Sequence, residues 1–288
     1  MESLSKDIIK ILNSNEEDKI FQVIDTIEHN ISKITPKELI KIVEGISDLL
    51  EHQSPTIVEK ASDFLEKIKT DEASRIVANK LKSDNPRARN FAIEILAEHK
   101  NRNVLIDLLR DEDKDVRKFA IDIFFYMKDT DGVALGLKDK DINVRTASIE
   151  YLTKLRAKEK IEEVREIFER ENDIYVIYTT AKFLYELGYE KLPDLIQNKF
   201  EKPEDEPVIF KIWIRALGKF AKEESDIKKI LNIFKIEYLS EFLEALSLAL
   251  PFIRISEETK KQIMELLNSI SPEREDEIFY IDNLKKYL

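Results

Sequence analysis

The sequence predicts an all-α fold, an α-solenoid of about nine stacked antiparallel helix pairs, on three observations. The first is repetition. SDNPRARNFAIEIL (83–96), DEDKDVRKFAIDIF (111–124) and DKDINVRTASIEYL (139–152) are near-copies whose arginines, Arg89, Arg117 and Arg145, stand 28 residues apart. A fixed period of about 20–50 residues marks one supersecondary unit used again and again. The second is that each copy carries apolar residues at helical spacing on two short segments. The third is composition: 288 residues hold only five glycines and eight prolines, which suits helices joined by short turns.

The middle copy shows how one unit is built. Val104, Leu105, Leu108 and Leu109 make an apolar stripe on a first helix. Asp111-Glu112-Asp113-Lys114 then interrupts it with turn formers and helix-start acids. On a second helix Val116, Phe119, Ala120, Ile123 and Phe124 face the core. Three places after each arginine stands a small residue, Ala92, Ala120 or Ser148, where helices can approach to the usual 8–10 Å. Neither helix buries its apolar face alone, so the units stack.

Around this centre the chain reads as one solenoid, 1–288, in three parts. Residues 1–70 are irregular N-terminal helices or a cap: three helices over 2–51, then 54–68 with Val58 and Ala61 near the repeat positions. Residues 71–221 hold the repeats. The copies at 172–187 and 205–220 keep Val176 and Val208 but put Ile177 and Ile209 in the arginine slot. Residues 222–288 are divergent repeats and a cap, with second helices expected at 238–252 and 273–286. The last helix keeps Ile278, Phe279, Ile281, Leu284 and Leu288, as a packed cap or as an edge for self-association. The oligomeric state is therefore open.

The acid six places before the arginine, Asp111 before Val116-Arg117 and Asp139 before Val144-Arg145, resembles the HEAT family in its short, phycobilisome-lyase-like form. The likeness is strongest over about 81–155. Its first copy departs, with Ser83 in the acid's place and Asp84 beside it. The resemblance implies that Arg89, Asp111, Arg117, Asp139 and Arg145 form a structural ladder between adjacent units. It also implies that the second helices line a concave face.

Chemistry is poorly supported. Without cysteine there is no disulfide, thiolate ligand or thiol nucleophile, which suits a reducing, cytoplasmic setting. No GxSxG elbow or glycine-rich phosphate loop is present. Each histidine follows a glutamate (Glu28-His29, Glu51-His52, Glu98-His99), but at irregular intervals. Helical neighbours point about 100° apart, so such pairs do not converge on an ion, and exposed helix-end histidines are expected. No catalytic, cofactor or metal residue is assigned. A net charge of −11 argues against nucleic acid as the main partner. Trp213, the only tryptophan, and the acidic balance argue against a base-excision role. The longest apolar run, 245–253, is far short of the roughly 20 residues of a membrane span. The N-terminus lacks the basic start and apolar run of a signal peptide.

A partner surface is sought on the second helices. Over 173–189, Tyr175, Tyr178, Lys182, Tyr185 and Tyr189 step along one helical face. They form either an exposed recognition ridge or a layer packed between units. Aligning second helices gives a column Asn90, Lys118, Thr146, Tyr178, Lys211 and beside it Glu94, Asp122, Glu150, Lys182, Arg215. The change from acid to base along the second column would orient an elongated partner, or it is a solvated face. The expected role is a non-catalytic scaffold or adaptor holding a protein or peptide on that face. The alternative is a bilin lyase-like or other small-molecule-handling subunit.

Overall fold

The computed structural model describes residues 2–14 and 16–288, with side chains described from residue 7 onward, residue 15 excepted. Among the described residues there are 18 α-helices, eight short 3-10 turns and no strand. They gather into two compact units, residues 1–155 and 156–288.

The first unit contains α1 (Glu2–Leu12), α2 (Glu17–Asn30), α3 (Pro36–Asp48), α4 (Pro55–Lys67), α5 (Asp71–Asn79), α6 (Pro86–His99), α7 (Arg102–Leu108), α8 (Lys114–Tyr126), α9 (Thr130–Ala134) and α10 (Ile142–Lys154). Here the second helices α4, α6, α8 and α10 pack one on the next, and α1, α3, α5 and α7 form a parallel row of first helices. The second unit contains α11 (Ile161–Arg170), α12 (Ile174–Leu187), α13 (Leu192–Lys199), α14 (Pro207–Lys219), α15 (Glu224–Asn232), α16 (Leu239–Ala249), α17 (Glu257–Ser269) and α18 (Glu275–Leu284). Its second helices α12, α14, α16 and α18 likewise follow one another in contact.

Helix starts are dictated locally. Pro36, Pro55, Pro86 and Pro207 stand at first helical positions, where the missing N–H costs nothing. Thr35 and Glu38 form a reciprocal capping box on α3. The repeat's own turn is more regular still. The side chains of Ser83, Asp111 and Asp139 each accept the N–H two residues on, from Asn85, Asp113 and Asp141. Those three residues in turn cap α6, α8 and α10. Ser83 thus does with a hydroxyl what the two aspartates do with a carboxylate, and Asp84 has no part in the turn's hydrogen bonding. The same relay recurs where the sequence hides it. Glu171 accepts from Asp173 N–H, and Asp173 caps α12; before α4 only its first half is present, with His52 Nδ1 accepting from Ser54 N–H.

Helix ends repeat as well. Lys100, Lys128 and Arg156, 28 residues apart, lie in the left-handed region at φ 54°, 57° and 56°, and Gly188 follows at 85°. Only glycine takes that conformation without steric cost.

The core follows the predicted stripe. Ala61, Ala92, Ala120, Ser148 and Thr180 are fully buried where second helices meet. Phe124 is fully buried, a contribution of about 2–3 kcal/mol for a side chain of that size. Phe119 is only half-buried, and α7 stops at Leu108, leaving Leu108 and Leu109 at the rim. Gly218 marks the closest approach: a Cβ there would lie 2.4 Å from the backbone of Ala245, so α14 and α16 touch main chain to main chain. Among the described residues no helix is long and apolar enough to cross a membrane.

Candidate functional site

The arginine ladder comes first because it fixes the second helices. Each arginine folds back on the turn before it. Nη1 donates to the carbonyl six residues earlier: Arg89 to Ser83 at 2.6 Å, Arg117 to Asp111 at 2.9 Å and Arg145 to Asp139 at 3.0 Å. Arg117 also grips the next unit, with Nε and Nη2 on the two carboxylate oxygens of Asp139 at 2.7 and 3.0 Å. Both side chains are buried, at 4% and 9% exposure. Asp111 is held by a lysine and not by an arginine, with Lys82 at 2.7 Å. That bond, chiefly, keeps its carboxyl below the usual range. The ladder in the first unit therefore has one lysine rung and one arginine rung.

The second-helix face of the first unit carries a cluster on α8 and α10. The rings of Phe125 and Tyr151 stack at 4.3 Å with 17° between planes. Lys154 Nζ lies over both, 5.9 and 5.2 Å from their centroids. The Tyr151 hydroxyl donates to Asp122 at 2.6 Å. Burial first, then this bond, pushes its pKa up. Lys118 donates to both oxygens of Asp122, at 3.0 and 3.1 Å. Beside the stack Tyr126 is 62% exposed and Glu150 faces solvent.

This geometry corrects the place given to Asp122. It is buried and already satisfied by Lys118 and Tyr151, so it positions the cluster and offers no free charge. Thr146, aligned with Lys118, is also buried. The acidic character sits elsewhere on the face. Glu94 is exposed on α6. On α4, burial and then the carboxylates of Asp63, Glu98 and Glu94 hold the Glu66 carboxyl above the ordinary range.

Sequence reasoning did not single out Phe125, Tyr126, Tyr151 or Lys154. The available signal was Phe124-Phe125-Tyr126: three successive aromatics on a helix point some 100° apart and cannot all enter one core.

In the second unit the tyrosine ridge divides. Tyr175 is 55% exposed at the start of α12. Lys182 faces solvent and pairs loosely with Glu186 at 3.9 Å. Tyr178 is half-buried. Tyr185 packs edge-on to Phe220, with Lys219 Nζ 4.2 Å from its centroid, and burial raises its hydroxyl pKa. Tyr189 is not on the ridge. Gly188 turns α12 off at Leu187, Tyr189 N–H caps the carbonyl of Leu184, and its side chain borders a hollow with Ile161, Glu162 and Arg165. Nor are Lys211 and Arg215 free cations: Lys211 lies 3.4 Å from Glu241, and Arg215 lies 2.8 Å from Glu244 on α16. Their charge is answered within the unit.

The histidines are dispersed. His29 is exposed and His52 serves its turn. His99 departs from the expected exposure. It is buried, with Nδ1 2.9 Å from Ser74 Oγ and Nε2 donating to the carbonyl of Leu65 at 2.9 Å, so it ties α4, α5 and α6 together. Among the described residues no three His, Asp or Glu side chains converge as metal ligands would.

No family model matches this chain, and no curated protein does. Its likenesses are among solved structures. It is similar to YibA of Escherichia coli, with 16% identity, 95% of this chain and 98% of that one covered, and a TM-score of 0.52. It is also similar to an engineered protein, with 16% identity, coverage of 98% and 88%, and a TM-score of 0.48. A third is the CpcE–CpcF complex of phycocyanin lyase from Nostoc, with 18% identity, coverage of 85% and 94%, and a TM-score of 0.31. At such identity the likeness to YibA is one of fold, and it supports the helical-repeat reading.

Proposed function

We propose that this protein is a non-catalytic scaffold or adaptor that holds a protein or peptide segment on the second-helix face of its first unit. The observation that carries the proposal is the pair of exposed side chains, Tyr126 and Lys154, beside the half-buried stack of Phe125 and Tyr151, locked from beneath by Asp122. Aromatic side chains on a rigid helix supply contact area at little entropic cost. The stacked pair is preformed, so a partner need not order it. Exposed carboxylates at Glu94 and Glu150, with Glu66 close to Glu94, favour a segment with basic residues beside an apolar or aromatic anchor. Tyr175 and Lys182 are candidate contacts of the second unit in the same mode.

The experiment is affinity capture from the source cells with mass spectrometry, comparing the native protein with a Tyr126→Ala, Lys154→Glu double variant. A stoichiometric protein retained by the native chain and lost by the double variant supports the scaffold. Equal capture by both removes this face from consideration.

A further inference from the structure

A cavity of about 420 Å³ opens at the start of the first unit, between α1, α2 and α3, away from the second-helix cluster. Its walls are Ile8, Ile11, Val23, Ile27, Ile34 and Ile42, all β-branched and aliphatic. Polar groups stand at its border and are mostly engaged. Glu38 accepts from Thr35 N–H and Oγ1, Asn30 donates to the carbonyl of Thr26, and Lys33 donates to Asn30 at 3.0 Å. Asp7 completes the rim.

The size lies within the usual range of small-molecule sites, and the lining is an apolar body with a few polar groups at one side. Stiff aliphatic walls without an aromatic face or interior hydrogen-bonding group do not select a nucleotide, a sugar or a flat heterocycle. They match an unbranched alkyl chain. A methylene takes roughly the volume of a water molecule in the liquid, about 30 Å³ with its packing space included, so the cavity holds about fourteen heavy atoms, a chain of about twelve carbons with its polar head. The rim sets the carboxylates of Asp7 and Glu38 beside Lys33, which is itself engaged by Asn30, so it disfavours an anionic head. Hydroxyl, ester or amide heads can bond to Asn30 or Thr26 without adding charge.

We propose that this cavity is a binding site for a single alkyl chain of about twelve carbons with an uncharged polar head. The inference is independent of the second-helix reading.

The test is calorimetric titration and saturation-transfer NMR of the full chain with 1-octanol, 1-decanol, 1-dodecanol and 1-tetradecanol, each below its solubility limit. One site per chain is expected. Affinity should rise about fourfold per methylene up to about twelve carbons and then level off. Val23→Phe, and independently Ile34→Phe on the connecting turn, should reduce binding at least tenfold with helicity intact, while Tyr126→Ala leaves it unchanged. Absence of saturable binding, an undiminished rise through fourteen carbons, or tighter binding of decanoate than of 1-decanol would overturn the proposal. So would a concentration-dependent dimer that Val23→Phe abolishes, because the occupant would then be a second copy.

Discussion

Arg117 on α8 and Asp139 before α10, 22 residues apart, meet through two parallel N–H···O bonds of 2.7 and 3.0 Å while Arg117 also holds the carbonyls of Asp111 and Glu112. One side chain thereby fixes its own turn and the next unit. Removing one partner of a buried, fully bonded pair strands the other charge, which costs about 3–5 kcal/mol. Arg117→Ala is expected to lose that much in urea unfolding. Arg89→Ala, whose half-buried guanidinium gives its own turn one bond from Nη1, should lose about 1 kcal/mol. Equal losses would show that Arg117 does not join α8 to the repeat that follows it within the first unit.

The left-handed residues that end the second helices offer a reciprocal pair of substitutions. Lys128 sits at φ 57° and Gly188 at φ 85°. Gly188→Ala should destabilise by about 1 kcal/mol. Lys128→Gly should stabilise by about 0.5 kcal/mol, the relief of strain being offset in part by a more flexible unfolded chain. Thermal unfolding of the two variants reads both signs.

Gly218→Ala places a methyl against the backbone of Ala245, which cannot swing aside as a side chain would. Overpacking of this kind costs about 1–3 kcal/mol. Serine at the same place should be no better, and calorimetric melting tests both.

His99 gives the fold a pH dependence of definite sign. Burial is the leading cause holding its pKa below the ordinary 6.5, with the Leu65 carbonyl opposing and Lys69 and Glu98 acting at the rim. The unfolded chain therefore takes up the proton more readily than the folded one. Its share of stability is complete above about pH 6.5 and is lost as the pH falls below that value. The melting temperature of the native protein should drop more between pH 7 and pH 5 than that of His99→Gln. A parallel decline in both would place the acid sensitivity elsewhere.

Two acids on one face should part company. Glu150→Lys changes an exposed charge and should leave stability within about 0.5 kcal/mol while weakening partner capture. Asp122→Lys removes the acceptor of Tyr151 and Lys118 and sets two ammonium groups together, so it should unfold the α8–α10 contact. Near-ultraviolet circular dichroism, which follows the Phe125–Tyr151 stack, distinguishes them.

The repeat was legible because its marks are local. Arg89, Arg117 and Arg145, the small residues three places on, and the acids Asp111 and Asp139 give the period without reference to tertiary contacts. What could not be read depended on chemistry shared between residue types. Ser83 and His52 perform the turn's acceptor role with other atoms, so a search for aspartate passes them by. Tyr189 keeps helical spacing on paper, yet Gly188 ends the helix before it. Asp122 looks like Glu94 and Glu150 in a column, but the phenol of Tyr151, 29 residues away, takes it out of solvent. His99 gave no sign of burial, because its partners, Ser74 and the Leu65 carbonyl, lie on other helices.

Site-specific photocrosslinking addresses the binding face most directly. A benzophenone side chain replaces Tyr126 on α8 in one variant and the exposed Asn103 on α7 in another, and each is irradiated in extract of the source cells. A discrete crosslinked protein from position 126, competed by unlabelled native chain and absent from position 103, is the outcome expected of a second-helix scaffold. Labelling from position 103 alone, or equal labelling from both, would contradict it.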